Sequence, residues 1–146
     1  MPLGVAEGKK CDFRAYLNSA QSIPNTTFTK VNIDTENWDT DGVFDTTNKQ
    51  YLPTQAGKYF VCGAVQIQDI VAGKLHLAMI YVNGVEHSRG TQIVHGGAGY
   101  VSAVVSALLS LDGDDYVELY TYHDIGSSKS LTTGSNITWL AGFRIA

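Results

Sequence analysis

Residues 58–69, with the sequence KYFVCGAVQIQD, decide the fold because their side chains alternate with a period of two. One face of the predicted strand carries four apolar residues, namely Tyr59, Val61, Val65 and Ile67. The other face begins with Phe60, Cys62 and Ala64 and continues with Gln66 and Gln68. A strand that is apolar on both faces at one end is covered on both sides there. The pattern therefore predicts a core on one side of this strand and a second covering surface on the other.

Similar strand and turn patterns continue on both sides of this stretch. Asn83-Gly84 is typical of a two-residue hairpin turn between two predicted strands. No window shows the period of an amphipathic helix. We predict strands at residues 13–17, 27–34, 58–69, 75–82, 85–95, 100–111, 116–123 and 137–145, and polar loops at 36–48, with a short strand near Val43 and Phe44, and at 124–135. The sequence thus predicts an all-β sandwich or barrel of eight to ten strands.

Composition and charge restrict the classes of protein to consider. The chain has 146 residues, a net charge of −4 and a pI near 5.4. We therefore do not expect the cluster of basic residues that binding to nucleic acid requires. Charged residues make up 16% of the chain, below the average of about 25%, which favours an oligomer that buries part of its surface. No apolar run has the length of a signal peptide or a membrane span. We expect one domain made in the cytoplasm, without nucleic-acid or membrane partners.

The order and spacing of several motifs resemble a known family. The matching segments are Phe13, Ala15 and Leu17; Phe28, Val31 and Asp34; Phe44-Asp45, Tyr51, Gly57 and Tyr59; Tyr81 to Gly84; Leu111 to Leu119; and Leu140 to Phe143. Together they resemble the globular head of the complement component 1q family, which shares the jelly roll of tumour necrosis factor. The chain departs from the family pattern at Pro53, which comes one residue early, at Leu140, which replaces an aromatic residue, and in lacking a Gly-X-Y collagen stretch before the domain.

The resemblance implies a jelly-roll sandwich of two antiparallel sheets over residues 11–146, preceded by an N-terminal arm over residues 1–10. It also implies a homotrimer. Residues Phe60, Cys62 and Ala64 are the predicted subunit interface, because they are apolar on the face away from the core.

Three tyrosines form a second candidate surface. Tyr116, Tyr120 and Tyr122 alternate with Val117 and Leu119, which form the predicted core face. Two interpretations remain open: ordinary β propensity, or an oligomer or ligand surface where amphipathic tyrosine is favoured.

The residues that carry chemistry in enzymes do not form a recognisable motif. His76, His87, His95 and His123 are scattered without metal-ligand spacing, and Cys11 and Cys62 are expected to be buried free thiols. No Gly-x-Ser-x-Gly turn surrounds Ser127, Ser128 or Ser130. We therefore expect a protein that is not an enzyme and needs no cofactor.

A run of acidic residues is the one candidate metal site. Asp39, Asp41 and Asp45 surround Gly42, and closely spaced carboxylates can supply several calcium ligands. The run lacks the distal glutamate of an EF-hand, so a solvated turn is the alternative.

These features together predict a homotrimeric structural or recognition protein of a virus particle, such as a bacteriophage capsid decoration or fibre tip. Its location would be the virion, and its partners capsid or tail proteins. The alternative is a secreted or surface-displayed, extracellular module that binds a glycan or protein. In either case Leu3, Val5, Lys9 and Lys10 of the arm are the candidates for holding a neighbour, through apolar burial and positive charge.

Overall fold

The computed structural model describes residues 8–146, which form strands and loops without a helix. Within this part of the chain, no helix is long and apolar enough to cross a membrane. The strands are β1 (Phe13–Tyr16), β2 (Ser22–Ile23), β3 (Thr29–Lys30), β4 (Thr35–Asp39), β5 (Phe44–Asp45), β6 (Gln50–Tyr51), β7 (Gly57–Ile70), β8 (Leu75–Val82), β9 (Val85–Val94), β10 (Gly99–Leu111), β11 (Val117–His123), β12 (Lys129–Ser130) and β13 (Trp139–Arg144). Eight of them have four or more residues, and the predicted all-β class is confirmed.

The longer strands form two antiparallel sheets. The five-stranded sheet has the order β10-β7-β13-β1-β4, and the six-stranded sheet has the order β5-β6-β11-β8-β9 with β3 added beside β11. In the five-stranded sheet, β7 pairs with β10 from Gly57–Leu111 to Ile70–Gly99 and with β13 from Tyr59–Arg144 to Ala64–Trp139. This is the sandwich of two antiparallel sheets that the jelly-roll resemblance implies.

The core lies between the two sheets and contains the odd-numbered side chains of β7 that the sequence pattern predicts. Tyr59, Val61, Val65 and Ile67 have no exposed surface. The Phe13 ring stacks on Tyr51 with centroids 4.3 Å apart, and Tyr51 donates its hydroxyl proton to the Cys11 carbonyl at 2.6 Å. Burial raises the pKa of Tyr51, so this hydroxyl stays protonated and keeps its hydrogen bond.

The strand boundaries differ from the prediction in three places. Residues 27–34 contain only the two-residue strand β3, and Phe28 is 46% exposed. The predicted loop at 36–48 begins with most of β4, which pairs with β1 and shifts register between Arg14 and Ala15. Strand β12 interrupts the predicted loop at 124–135. Backbone pairing places these polar segments in sheets. Their side chains do not alternate between apolar and polar, so the sequence pattern does not predict the strands.

A close backbone contact joins the two sheets at one edge. A Cβ added to Gly90 of β9 would lie 2.6 Å from the Val105 Cα and closer still to the Val104 carbonyl oxygen of β10. Only a residue without a side chain fits between these two strands. The glycine therefore allows the last strand of one sheet to approach the first strand of the other.

Replacing this glycine tests the contact. Gly90→Ala must displace backbone rather than a flexible side chain, so we expect a loss of about 2–4 kcal/mol in the free energy of unfolding. Gly96→Ala is the matched control, because a Cβ there has no atom within 4 Å. Urea unfolding measures both variants, and equal midpoints for Gly90→Ala and the wild type would contradict the contact.

Candidate functional site

The outer face of the five-stranded sheet is the side of β10, β7, β13, β1 and β4 that points away from the core. Cross-strand pairing aligns its side chains in rows: Phe143, Phe60 and Leu108; Ala141, Cys62 and Ser106; and Trp139, Ala64 and Val104. Arg14 and Trp38, which pair with each other, extend the middle row at the β1 and β4 side. The predicted interface residues Phe60, Cys62 and Ala64 thus occupy the central strand of this face.

Large apolar side chains on this outer face remain in contact with solvent. Leu108 is 70% exposed, Val104 53%, Trp38 51% and Phe143 46%. Scattered exposed apolar residues are ordinary, but a continuous apolar surface usually marks a site of association. The rows described above place these residues on one side of a single sheet.

A groove of about 420 Å³ crosses the outer face near the start of the domain. Its lining is mostly aromatic and apolar, with one lysine and one aspartate at its rim: Lys10, Asp12, Phe13, Trp38, Phe60, Cys62, Ala141, Gly142 and Phe143. Such a groove can accept an apolar side chain from a partner.

Arg14 is the charged side chain in the middle row of the outer face. Its guanidinium lies 4.2 Å from the centre of the Trp139 ring, and it donates a hydrogen bond to the Ser135 carbonyl at 2.7 Å. The stacking and the hydrogen bond hold the guanidinium flat against the sheet. A partner that covers this face would therefore meet a guanidinium that is already packed on an aromatic ring and bonded to a carbonyl.

The Cys62 thiol lies in the same row but is not activated. Burial raises its pKa, and the neighbouring Arg14 charge offsets this only in part. A thiol with a raised pKa is protonated at neutral pH and is a poor nucleophile. Cys62 is free, as predicted, but only half-buried, whereas Cys11 is fully buried.

The three tyrosines do not share this surface. Tyr120 and Tyr122 belong to β11 and point outward from the six-stranded sheet, on the opposite side of the sandwich, and Tyr116 immediately precedes β11. Phe60, Cys62 and Ala64 therefore form one patch and the tyrosines form another. A cyclic trimer joins two different patches of neighbouring subunits, so both sets stay candidates for the predicted interface.

Two of the tyrosines pack against other aromatic residues and lie beside apolar residues of β8. Tyr120 stacks on Tyr81 with centroids 3.6 Å apart, and Tyr122 lies 4.7 Å from Phe28. Their cross-strand neighbours Met79 and Leu77 point the same way and are almost completely buried. Packing beside these two residues gives the two tyrosines a structural role on the outside of the six-stranded sheet.

The described part of the arm lies beside the outer face. The Lys9 N–H donates to Gln55 Oε1 at 3.2 Å, and the Lys10 carbonyl accepts a hydrogen bond from the Arg144 N–H at 2.7 Å. Both lysines are exposed, and Lys10 reaches the rim of the apolar groove. Leu3 and Val5 lie outside the described residues.

The three aspartates proposed for calcium do not converge, which corrects that prediction. Asp39 accepts the Val43 and Phe44 N–H groups, each at 2.8 Å. Asp41 accepts the Cys11 N–H at 2.9 Å, and Asp45 binds the Thr47 and Asn48 backbone. Asp39 and Asp45 thus each hold a turn, and Asp41 binds the distant backbone at Cys11. Short-range hydrogen bonding of aspartate to the backbone produces the same sequence pattern as a metal loop.

A different acidic cluster forms where β10 leads into β11. Asp112, Asp114 and Asp115 bring one carboxylate oxygen each within 4.8 Å of the others, the one such group of metal-binding residue types found within residues 8–146. Asp115 accepts the Asp112 N–H at 2.9 Å and the Asn83 amide at 2.8 Å, and these bonds lower its pKa. The cluster closes a turn and is exposed.

Removing Asp39 tests the assignment of this carboxylate to the turn. Asp39→Ala leaves two backbone N–H groups without an acceptor and should lower the free energy of unfolding by about 1–3 kcal/mol. Glu36→Ala, at an exposed position of the same strand, is the control and should change little. The loss in the free energy of unfolding caused by Asp39→Ala should be the same in millimolar calcium and in chelator. A deficit that appears only with calcium would restore the metal site.

Known proteins resemble this chain in structure rather than in sequence. No protein-family model matches the sequence, and no curated protein matches it in sequence. Three solved structures superpose on 94% of this chain. The globular domain of zebrafish complement 1qA is 14% identical, has 98% of its chain covered and gives a TM-score of 0.71. Murine APRIL is 11% identical, has 100% of its chain covered and gives a TM-score of 0.68. Eiger TNF from S. frugiperda is 10% identical, has 93% of its chain covered and gives a TM-score of 0.64. At these identities the likeness shows the fold, and the chain has the jelly roll of the complement 1q and tumour-necrosis-factor proteins.

Proposed function

We propose that this protein is a non-enzymatic binding module that assembles into a homotrimer through the outer face of the five-stranded sheet. The observation that carries the proposal is the apolar surface formed by Trp38, Phe143, Leu108 and Val104 around the groove. Leaving this surface in water is unfavourable, at about 25 cal/mol for each Å² of apolar area.

A second copy of the chain is the occupant that fits this face best. The face carries apolar residues in its rows, and the Arg14 guanidinium is packed against the Trp139 ring. A stable interface buries about 800 Å² on each partner and has few charges at its centre. Three copies, rather than two, are what the jelly-roll resemblance implies, and a closed ring leaves no copy of the face uncovered.

A trimer would bind its target through three copies of each loop. Linked contacts convert a modest affinity at one site into a much stronger attachment, provided that all three copies engage together. The polar loops at residues 124–128 and 95–98 lie at one end of the sandwich and would be repeated around the axis. Binding by repetition needs no catalytic group, which agrees with the protonated Cys62 thiol and with carboxylates that are engaged in turns.

Two targets remain predictions from the sequence. The first is a virus particle, with capsid or tail proteins as partners. The second is a glycan or protein outside the cell. The outer face serves assembly equally well in both cases.

Introducing a charge into the apolar outer face tests the trimer. Leu108→Asp places a carboxylate in the apolar row and should convert the trimer into monomers or weaken its association at least 100-fold, since a buried unpaired charge costs about 3 kcal/mol or more. Val85→Asp is the matched control, because Val85 is 67% exposed at an edge of the six-stranded sheet. Sedimentation or light scattering at micromolar concentration should give three chain masses for the wild type and for Val85→Asp.

Two outcomes would contradict this assembly. A wild-type protein that is monomeric under these conditions would remove the trimer itself. A Leu108→Asp variant that stays trimeric with normal affinity would show that another surface makes the contact.

A further inference from the structure

Two histidines are completely buried side by side near one end of the sandwich. His76 of β8 and His123 of β11 are a cross-strand pair, and neither has exposed surface. Because β11 alternates, His123 shares the inward face with Thr121, Leu119 and Val117. Sequence reasoning treated these residues only as scattered histidines without metal spacing.

The hydrogen bonds of His123 determine where its proton lies. Its Nε2 is 2.9 Å from the Ile23 carbonyl, which can only accept, so Nε2 carries the hydrogen. Its Nδ1 accepts the Ile125 N–H at 3.2 Å and therefore carries none. The ring is neutral in this arrangement, and both of its nitrogens are used.

His76 is also held in its neutral form. The Thr121 hydroxyl donates its one hydrogen to the Leu77 carbonyl at 2.9 Å, so it must accept the hydrogen of His76 Nε2, also at 2.9 Å. His76 Nδ1 is buried without a hydrogen-bond partner. Burial, together with a smaller contribution from the neighbouring His123, lowers the pKa of His76 to about 4, and the Val101 backbone opposes this only partly.

The charged groups that flank these strands do not form hydrogen bonds with either ring. Asp124 follows β11, but its carboxylate accepts the Leu75 N–H at 2.6 Å. His95 follows β9 and bonds to Gly97, and Lys74, which precedes β8, would repel a protonated ring. Among the described residues, no titratable side chain forms a hydrogen bond with His76, and its ring bonds to the Thr121 hydroxyl.

His123 also connects two loops. Its carbonyl accepts the Thr26 N–H at 2.8 Å, and the Gly126 N–H donates to the Asn25 side chain at 2.7 Å. Together with the bonds to Ile23 and Ile125, these contacts tie residues 23–26 to residues 124–126. We call this set of contacts the histidine latch.

We propose that the histidine latch is an acid-sensitive switch that holds these two loops together at neutral pH and releases them in mildly acidic surroundings. Protonating His123 Nδ1 would turn an acceptor into a donor that faces the Ile125 N–H. A second proton on His76 would place two positive charges opposite each other in the core. Opening the latch lets water solvate both rings, so acid favours the open form. This inference is independent of the trimer.

The direction and size of the effect follow from the lowered pKa of His76. Above pH 6.5, the pKa of an ordinary histidine, the neutral His76 ring contributes its full stability to the closed latch. This contribution is lost as the pH falls toward the lowered pKa of about 4. For this one residue, the ratio of closed to open latch should fall by about 20-fold between pH 7 and pH 5.

Amide hydrogen exchange, corrected for the intrinsic effect of pH, measures this opening residue by residue. The Thr26, Ile125 and Gly126 amides should lose protection by about 20-fold or more on going from pH 7 to pH 5. The Lys58 amide, which bonds to the Ala146 carbonyl at the other end of the sandwich, should keep its protection. Equal protection at both values of pH, or a uniform loss along the chain, would overturn the proposal.

Variants then assign the effect to the buried ring. His76→Leu should reduce the loss of protection at pH 5, whereas His87→Gln, at an exposed position, should leave it unchanged. If His76→Leu does not fold, nitrogen NMR of the wild-type rings decides the question. His76 and His123 should both show the neutral form with the hydrogen on Nε2 at pH 7. A charged ring, or a hydrogen on Nδ1, would refute the latch.

Discussion

The register of β7 is the constraint on which the rest of the structure depends. This strand pairs with β10 along nearly its whole length and with β13 along its first half. The pairing directs Tyr59, Val61, Val65 and Ile67 into the core, so Phe60, Cys62 and Ala64 must point outward. A shift by one residue would exchange the two sets and expose the core residues. The same register therefore fixes both the packing of the sandwich and the composition of its outer face.

The sequence predicts the long strands well because burial imposes a period of two on them. In β10, each residue from Val101 to Leu111 alternates between buried and exposed. Strand β4 lacks this signal: its sequence TENWD has no buried side chain, and it is held by backbone pairing with β1 at the edge of the sheet. A segment that is ordered by its neighbour's backbone has no reason to show alternation in its own sequence.

The candidate sites show a different limit. Alternation correctly places the face of Tyr120 and Tyr122 away from the core, but it does not tell which of two sheets carries that face. Likewise, the spacing of Asp39, Asp41 and Asp45 is compatible with one shared ion or with three separate sets of backbone hydrogen bonds. The hydrogen-bond partners decide, and one of them is distant in sequence, namely Cys11 for Asp41. The histidine latch depends in the same way on Ile23, which lies 100 residues from His123.

Both tryptophans of the chain, Trp38 and Trp139, lie on the outer face, whereas the aromatic residues of the core are tyrosine and phenylalanine. The two chromophores that dominate ultraviolet emission are thus placed where a partner would exclude water, and one of them lies under the Arg14 guanidinium. Emission from this chain therefore reports the polarity of one surface rather than the integrity of the core. The wavelength of that emission depends on whether the outer face is exposed to water or covered by a partner.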